Sequence, residues 1–431
     1  MPGWFMTKGD DVTDLVDELE WRGLIAQSSG LDALREALAS GPITYYCGFD
    51  PTAPSLHHGH LVQLILLRHL QLAGNNPIAL VGGATGMIGD PRMSGERTLN
   101  PKEVVAEWTD RLRAQIEPFL SFEGENAARM VNNLDWTGEL SAIDLLRDIG
   151  KHFRLGTMLA KDTVARRLES EEGMSFTEFS YSLLQANDYR ELHRRYGCAL
   201  QTGGNDQWGN LVAGLDLIRK ADGDSVHVLT TPLITKSDGT KFGKTEGGAV
   251  WLAPDMMSPY EFFQFWLNTD DADVVGYLKT FTFLSREEIG RLETAVAEAP
   301  FRREAQRALA REVTTLVHGA DATAGVEAAA AVLFGSNDPR EVDASALADA
   351  VAHLESGTVT VGETSMVDLI IAVGMEDGRS AARRMIKDGG AYLNNVKIVD
   401  EDAVLAETDL IGGQFVLVRR GKKKLAVGRI G

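Results

Sequence analysis

Residues 43–49 form a short apolar and aromatic run of strand length, 56–73 read as a helix that stops at Gly74, and 77–83 return to a short apolar strand. Strand, helix and strand within about forty residues make a βαβ unit, which implies a parallel sheet. Such sheets bind ligands beyond the carboxyl ends of their strands. The loops at 48–60, 82–90 and 203–206 fall there.

After Pro254 the pattern turns helical, over 260–267, 272–280, 287–298, 304–318 and 322–333, and 335–340 reads as a linker. From about Ser365 it changes again, to a helix carrying Arg379, Arg383, Arg384 and Lys387 and then short strands near 392–399 and 414–418. The expected fold class is α/β: a Rossmann-like parallel-sheet domain (1–250), an all-α domain (251–335), a linker (336–362) and a small α+β tail (363–431).

Composition adds limits rather than direction. A chain of 431 residues suggests two or three domains, and 44% apolar with 24% charged residues is ordinary for a globular protein. Apolar runs such as 61–67 are too short to cross a bilayer, and the N-terminus lacks a secretory pattern. Cys47 and Cys198 are too few for a disulfide framework or a zinc site, so a reduced, cytoplasmic setting is expected. The net charge of −19 argues against nucleic acid, but the last 68 residues carry eleven Lys+Arg against nine Asp+Glu. A local basic surface therefore stays possible on an acidic chain.

Five segments carry candidate chemistry. In Tyr46-Cys-Gly48-Phe-Asp50-Pro-Thr52 and on to His57-His58-Gly59-His60, a strand runs through a turn into a helix. His57 and His60 share one helix face, Gly59 offers close backbone approach, and a helix N-terminus favours phosphate. The alternative is a pair of histidines that only cap the helix. Lys241-Phe-Gly-Lys244-Thr can converge two lysines on a polyanion, although Lys/Gly loops are commonly just solvated. Gly82-Gly-Ala-Thr-Gly-Met-Ile-Gly-Asp90 lacks the Gly-Lys-Ser/Thr ending of a P-loop. It offers Asp90 as an acceptor for an ammonium group. Tyr181, Gln185 and Asp188 lie on one helical stripe and suit a small polar ligand, or else form a solvated face. Gly203-Gly204-Asn-Asp206-Gln207 places a carboxylate where ribose hydroxyls can be bound.

In order, these segments resemble the class I aminoacyl-tRNA synthetases, most closely the bacterial tyrosyl branch. His57-His-Gly-His60 resembles the HIGH signature, Lys241-Phe-Gly-Lys244-Thr the KMSKS loop, and Tyr46-Cys-Gly-Phe-Asp-Pro-Thr52 the tyrosyl version of the first strand and turn. The likeness extends through Ser175-Phe-Thr-Glu-Phe-Ser-Tyr181 and 203–210 to the basic run at 419–424, covering essentially the whole chain.

The resemblance implies substrates ATP, with Mg2+, L-tyrosine and tRNA(Tyr), no tightly bound cofactor, no protein metal site, and a homodimer. It implies that Tyr46 and Asp188 bind the phenol hydroxyl, that Asp90, Tyr181 and Gln185 hold the ammonium, and that Gln207 lies near the reacting end. Gly48, Asp50, Gly59, Gly204 and Asp206 would line the nucleotide. Thr52, His57 and His60 would meet the triphosphate, and Lys241, Lys244 and Arg97 would close over it. The all-α domain would be of anticodon-binding type, and Arg379, Arg383 and Lys387 of the tail would face RNA. His58 stands where the signature is usually aliphatic and is expected to tolerate change. The segment 92–97 is poorer in lysine than is usual, which leaves Arg92 without a role. A tryptophanyl enzyme, a nucleotidyltransferase without tRNA and a non-catalytic RNA-binding protein are the alternatives.

Overall fold

The computed structural model describes residues 14–92, 95, 98–171, 173–240, 242–245, 248–335, 337–352, 354–421 and 424–431. The chain packs as two compact units. One runs to Met256 and includes Thr269–Leu309; the other takes Met257–Asn268 and Ala310–Gly431.

The first unit is built on a six-stranded sheet: β1 (Gln27–Ser28), β2 (Thr44–Phe49), β3 (Asn76–Val81), β4 (Arg129–Asn132), β5 (Cys198–Gly204) and β6 (His227–Thr231), in the order β1-β6-β5-β2-β3-β4. All neighbours are parallel except β1, which runs against β6. The chain winds one way from β2 to β4 and returns on the other side with β5 and β6. The crevice between the ends of β2 and β5 is thus the topological switch point, where doubly wound sheets bind ligands. β3 is buried along nearly its whole length, as a parallel strand covered on both faces must be.

Helices α1 (Leu15–Trp21), α2 (Leu31–Ser40), α3 (His58–Leu72), α4 (Lys102–Ile116), α5 (Phe176–Tyr196) and α6 (Trp208–Ala221) flank the sheet elements in sequence. The expected βαβ unit is present as β2, α3 and β3. α3 is nearly all buried, including Leu61, Leu64, Ile65 and Leu70 at no exposure, which fixes its first turn at the sheet's carboxyl end. α5 starts at Ser175, whose hydroxyl accepts the Glu178 N–H, and stops at Gly197 in the left-handed conformation.

The second unit contains a five-stranded sheet ordered 396–397, 391–393, 415–420, 424–430, 356–359. Helices Met366–Ala372 and Arg379–Lys387 contribute Leu369, Ile370, Ala382 and Ile386 to its core, with Val416 and Val418 from the sheet.

Candidate active site

The first turn of α3 explains its two histidines. His57 is the N-cap residue, and its Nδ1 accepts the Gly59 N–H at 3.1 Å; His60 Nδ1 reaches back to accept the His57 N–H at 3.1 Å. The rings stack with centroids 4.0 Å apart. Burial pushes both imidazoles below their usual value, His60 furthest. Each is therefore neutral at pH 7, with Nδ1 occupied and the proton on Nε2. The capping role and the phosphate-donor role are not alternatives: capping leaves two oriented Nε2–H donors at a helix N-terminus.

Gly59 has a further reason beside the one its sequence position suggested. A Cβ there would meet the His57 ring at 2.9 Å, so the missing side chain makes room for the cap itself. Gly204 likewise clears Asp206, whose Oδ1 lies 2.6 Å from the Cβ that Gly204 lacks.

The glycine-rich turn after β3 packs on the Asp50-Pro51 turn after β2. A Cβ on Gly82 would come within 1.9 Å of Asp50 Oδ1, and one on Gly86 within 2.7 Å of the Pro51 ring. This close approach aligns a chain of hydrogen bonds. Tyr181 donates to Asp50 Oδ2 at 2.7 Å and Thr85 to Asp50 Oδ1 at 2.6 Å. The Asn133 amide donates to Thr85 at 2.8 Å and to Asp188 Oδ2 at 3.0 Å, while Trp136 Nε1 donates to Asp188 Oδ1 at 2.8 Å.

Two of the three stripe residues on α5 are buried, Tyr181 at 5% and Asp188 at 2% exposed, and Gln185 is half-buried. Burial pushes Asp188 up to about 7, against the pull of Asn133 and Trp136. Tyr46, 1% exposed, is pushed up by its burial and by the Asp188 charge. Among the described residues, the Tyr46 hydroxyl and Gln185 Oε1 are buried without a hydrogen-bond partner. Buried polar atoms are normally satisfied, so each of these two is a place that a ligand's polar group would fit.

Asp90 accepts from Gln207 at 2.8 Å and from Asn210 at 3.0 Å, and Lys161 reaches Asn210 at 3.4 Å. Thr52 and Arg92 line a cavity of about 230 Å³ together with Gly86, Ile88 and Trp108. Gly48 sits near the end of β2, and the exposed Asp206 lies close enough for its charge to act on His57. Arg97 and Lys241 lie outside the described residues, as does the side chain of Lys244. Sequence reasoning missed Asn133, Trp136, Lys161 and Asn210. The polar pair Asn132-Asn133, which closes β4, was the available signal.

His58 does not stand in open space, so the tolerance expected of it does not follow from its surroundings. Its ring meets Phe242 edge-on, with centroids 5.3 Å apart.

In the second unit Arg379, Arg383 and Lys387 are exposed while Ala382, Met385 and Ile386 are buried, the division the sequence pattern suggested. Arg379 pairs with Asp368 and Arg383 with Glu401. Part of the basic run at 419–424 is engaged internally: Arg419 donates to the Val332 and Leu333 carbonyls, and Lys424 pairs with Glu355.

The family described as "tRNA synthetases class I (W and Y)" matches residues 38–335, and the "Tyrosine--tRNA ligase SYY-like C-terminal domain" matches 346–427. The tyrosine–tRNA ligase of Streptomyces coelicolor is 62% identical over 421 residues, covering 97% of this chain and 99% of that protein. The chain belongs to the tyrosine–tRNA ligase family of class I synthetases. Another family member, from Corynebacterium glutamicum, is 56% identical over 96% of this chain and 98% of its own. A C-terminally truncated mitochondrial tyrosyl-tRNA synthetase of Aspergillus nidulans superposes with a TM-score of 0.68 at 33% identity, over 74% of this chain and 94% of that one. A tryptophanyl-tRNA synthetase of Encephalitozoon cuniculi shares the fold at 13% identity and a TM-score of 0.52. Family membership makes the chain an aminoacyl-tRNA synthetase.

Proposed function

We propose that this chain activates L-tyrosine with ATP and transfers it to the 3′ end of tRNA(Tyr), using the crevice at the ends of β2 and β5. A tyrosine carboxylate oxygen attacks the α-phosphorus, a P–O bond forms, and pyrophosphate leaves. A terminal ribose hydroxyl then attacks the carbonyl carbon of the adenylate, losing its proton as AMP departs. Neither step uses a protein nucleophile; positioning and charge stabilisation carry both.

The observation that carries the amino-acid assignment is the buried Asp188 beside the unpartnered Tyr46 hydroxyl. A phenol hydroxyl can donate to that carboxylate and accept from Tyr46. Phenylalanine would leave the Tyr46 hydroxyl unpaired and the Asp188 carboxylate with only Asn133 and Trp136 as donors in a dry site, a penalty against it. Asp90, Tyr181 and Gln185 take the ammonium and Gln207 lies near the reacting end. Gly48, Asp50, Gly59, Gly204 and Asp206 line the adenosine. Thr52, His57 and His60 meet the triphosphate, and Lys241, Lys244 and Arg97 close over the leaving pyrophosphate. Mg2+ enters with the nucleotide, whose phosphate oxygens suit it.

The remaining assignments are proposals on the same footing. The functional division is 1–250 catalytic, 251–335 anticodon-binding, 336–362 linker and 363–431 RNA-binding, with Arg379, Arg383 and Lys387 facing RNA. No helix among the described residues is long and apolar enough to cross a membrane, and both cysteines are free and buried, in keeping with a cytoplasmic enzyme. A homodimer would cover the apolar surface between β4 and α5, where Ile143 is 68%, Leu146 58% and Leu155 67% exposed. The test is ATP–pyrophosphate exchange with each of the twenty amino acids. Exchange with tyrosine alone supports the assignment; exchange with tryptophan, or none, rejects it.

A further inference from the structure

The two-step reaction leaves one residue of the His-His-Gly-His stretch without a task. His58 is the first residue of α3, and its backbone N–H donates to the Val250 carbonyl at 2.9 Å. That bond ties the start of the helix to the chain just after the lysine loop. The His58 ring then covers the loop's middle. It stands at 84° to the Phe242 ring, and a Cβ built on Gly243 would fall 2.0 Å from His58 Cε1. Gly243 also has φ +80°, so both the contact and the backbone there require glycine. On its far side, buried Phe242 packs on Tyr277 at 4.5 Å and Phe281 at 6.1 Å.

We propose that His58 is a positioning residue for adenylate formation: its flat ring is the platform on which Phe242 and Gly243 seat, which sets the approach of the two lysines that flank them in sequence. The shape is specific. A planar ring lets a residue without a Cβ lie flat against it, and it presents an edge-on partner for Phe242. Burial holds the imidazole at about 4, so the platform is uncharged at neutral pH and does not repel the lysines. The inference rests on the reading that Lys241 and Lys244 act on the departing pyrophosphate.

The experiment compares His58→Ala, His58→Phe, Lys244→Ala, and Gly243→Ala alone and combined with His58→Ala, in the full chain by ATP–pyrophosphate exchange, tyrosine binding and thermal melting. His58→Ala is expected to lower kcat for exchange about tenfold while tyrosine affinity stays within about twofold. His58→Phe, which keeps a flat ring, is expected to recover most of the loss. Gly243→Ala is expected to impair exchange by itself and to cost less when His58→Ala has removed the obstructing ring. The idea is overturned if His58→Ala exchanges like the parent while Lys244→Ala does not, or if His58→Ala loses tyrosine binding and melting temperature together. If Lys244→Ala also exchanges normally, the reading of the lysine loop fails first, and the seating role fails with it.

Discussion

Trp136 and Asp188 are joined by an indole N–H that donates to the carboxylate at 2.8 Å, while Asn133 holds the other oxygen at 3.0 Å. Both donors favour the ionised form that a phenol hydroxyl needs as acceptor, against burial that lifts Asp188 to about 7. The folded-state value is above the ordinary carboxylate value, so folding takes up a proton here. This group's contribution to stability is therefore greatest at low pH and is lost as pH rises toward 7. Tyrosine binding runs the other way. Affinity is expected to rise with pH up to about 7 and then level off, as calorimetric titration can show. Trp136→Phe removes one donor, moves that midpoint upward and weakens binding at pH 7 about tenfold. Asp188→Asn should abolish the pH dependence altogether.

The double duty of His60 makes its replacement informative only if stability is followed too. His60→Ala deletes both the cap acceptor for the His57 N–H and the Nε2 donor. Loss of the cap costs about 1 kcal/mol. Adenylate formation should fall by orders of magnitude, with tyrosine affinity nearly unchanged. His60→Asn can still accept the cap bond, so melting temperature should recover while adenylate formation stays low. Parallel loss of tyrosine binding and adenylate formation would remove His60 from the triphosphate.

Arg22 gives a prediction about stability alone. Its buried guanidinium pairs with Glu18 and donates to the carbonyls of Lys279, Thr282 and Leu284, at and beyond the end of helix Asp271–Phe281. Arg22→Met keeps the apolar stem but strands three carbonyl acceptors and leaves Glu18 paired with Arg286 alone. A loss of about 3 kcal/mol is expected in denaturant unfolding. Tyrosine binding by the folded fraction should not change.

The parts of the site that sequence made legible are those whose logic is local. A strand, a turn and a helix start are consecutive in the chain, so His57 and His60 could be placed together from spacing. Tyr181, Gln185 and Asp188 follow from helical period. Asn133 and Trp136 could not be found this way, because they sit 55 and 52 residues from the carboxylate they hold. Gly59 was noticed for ligand approach, and the structure adds a neighbour the sequence could not show, since its clearance also makes room for the His57 ring. Arg419, in the basic run that formed part of the family likeness, reaches the carbonyls at 332 and 333, a partnership that sequence spacing does not show.

Arg167 and Glu178 form an ion pair at 2.9 Å with each side chain 2% exposed, and the guanidinium also donates to the carbonyls of Gly173 and Arg92. One buried cation thus ties two loops, and Arg92 is two residues from Asp90. Breaking the pair by Glu178→Gln leaves Arg167 uncompensated and should cost about 3–5 kcal/mol. Replacing both partners by methionine removes the desolvated charges, so stability should return toward the parent. The hydrogen bond to Arg92 is not restored in that double variant. If the pair matters only for stability, tyrosine KM in exchange should recover with the melting temperature. If it also holds Asp90 in place, KM for tyrosine should stay raised about tenfold in a protein that melts normally. The separation of those two readouts in the double variant decides between a stabilising and a positioning role.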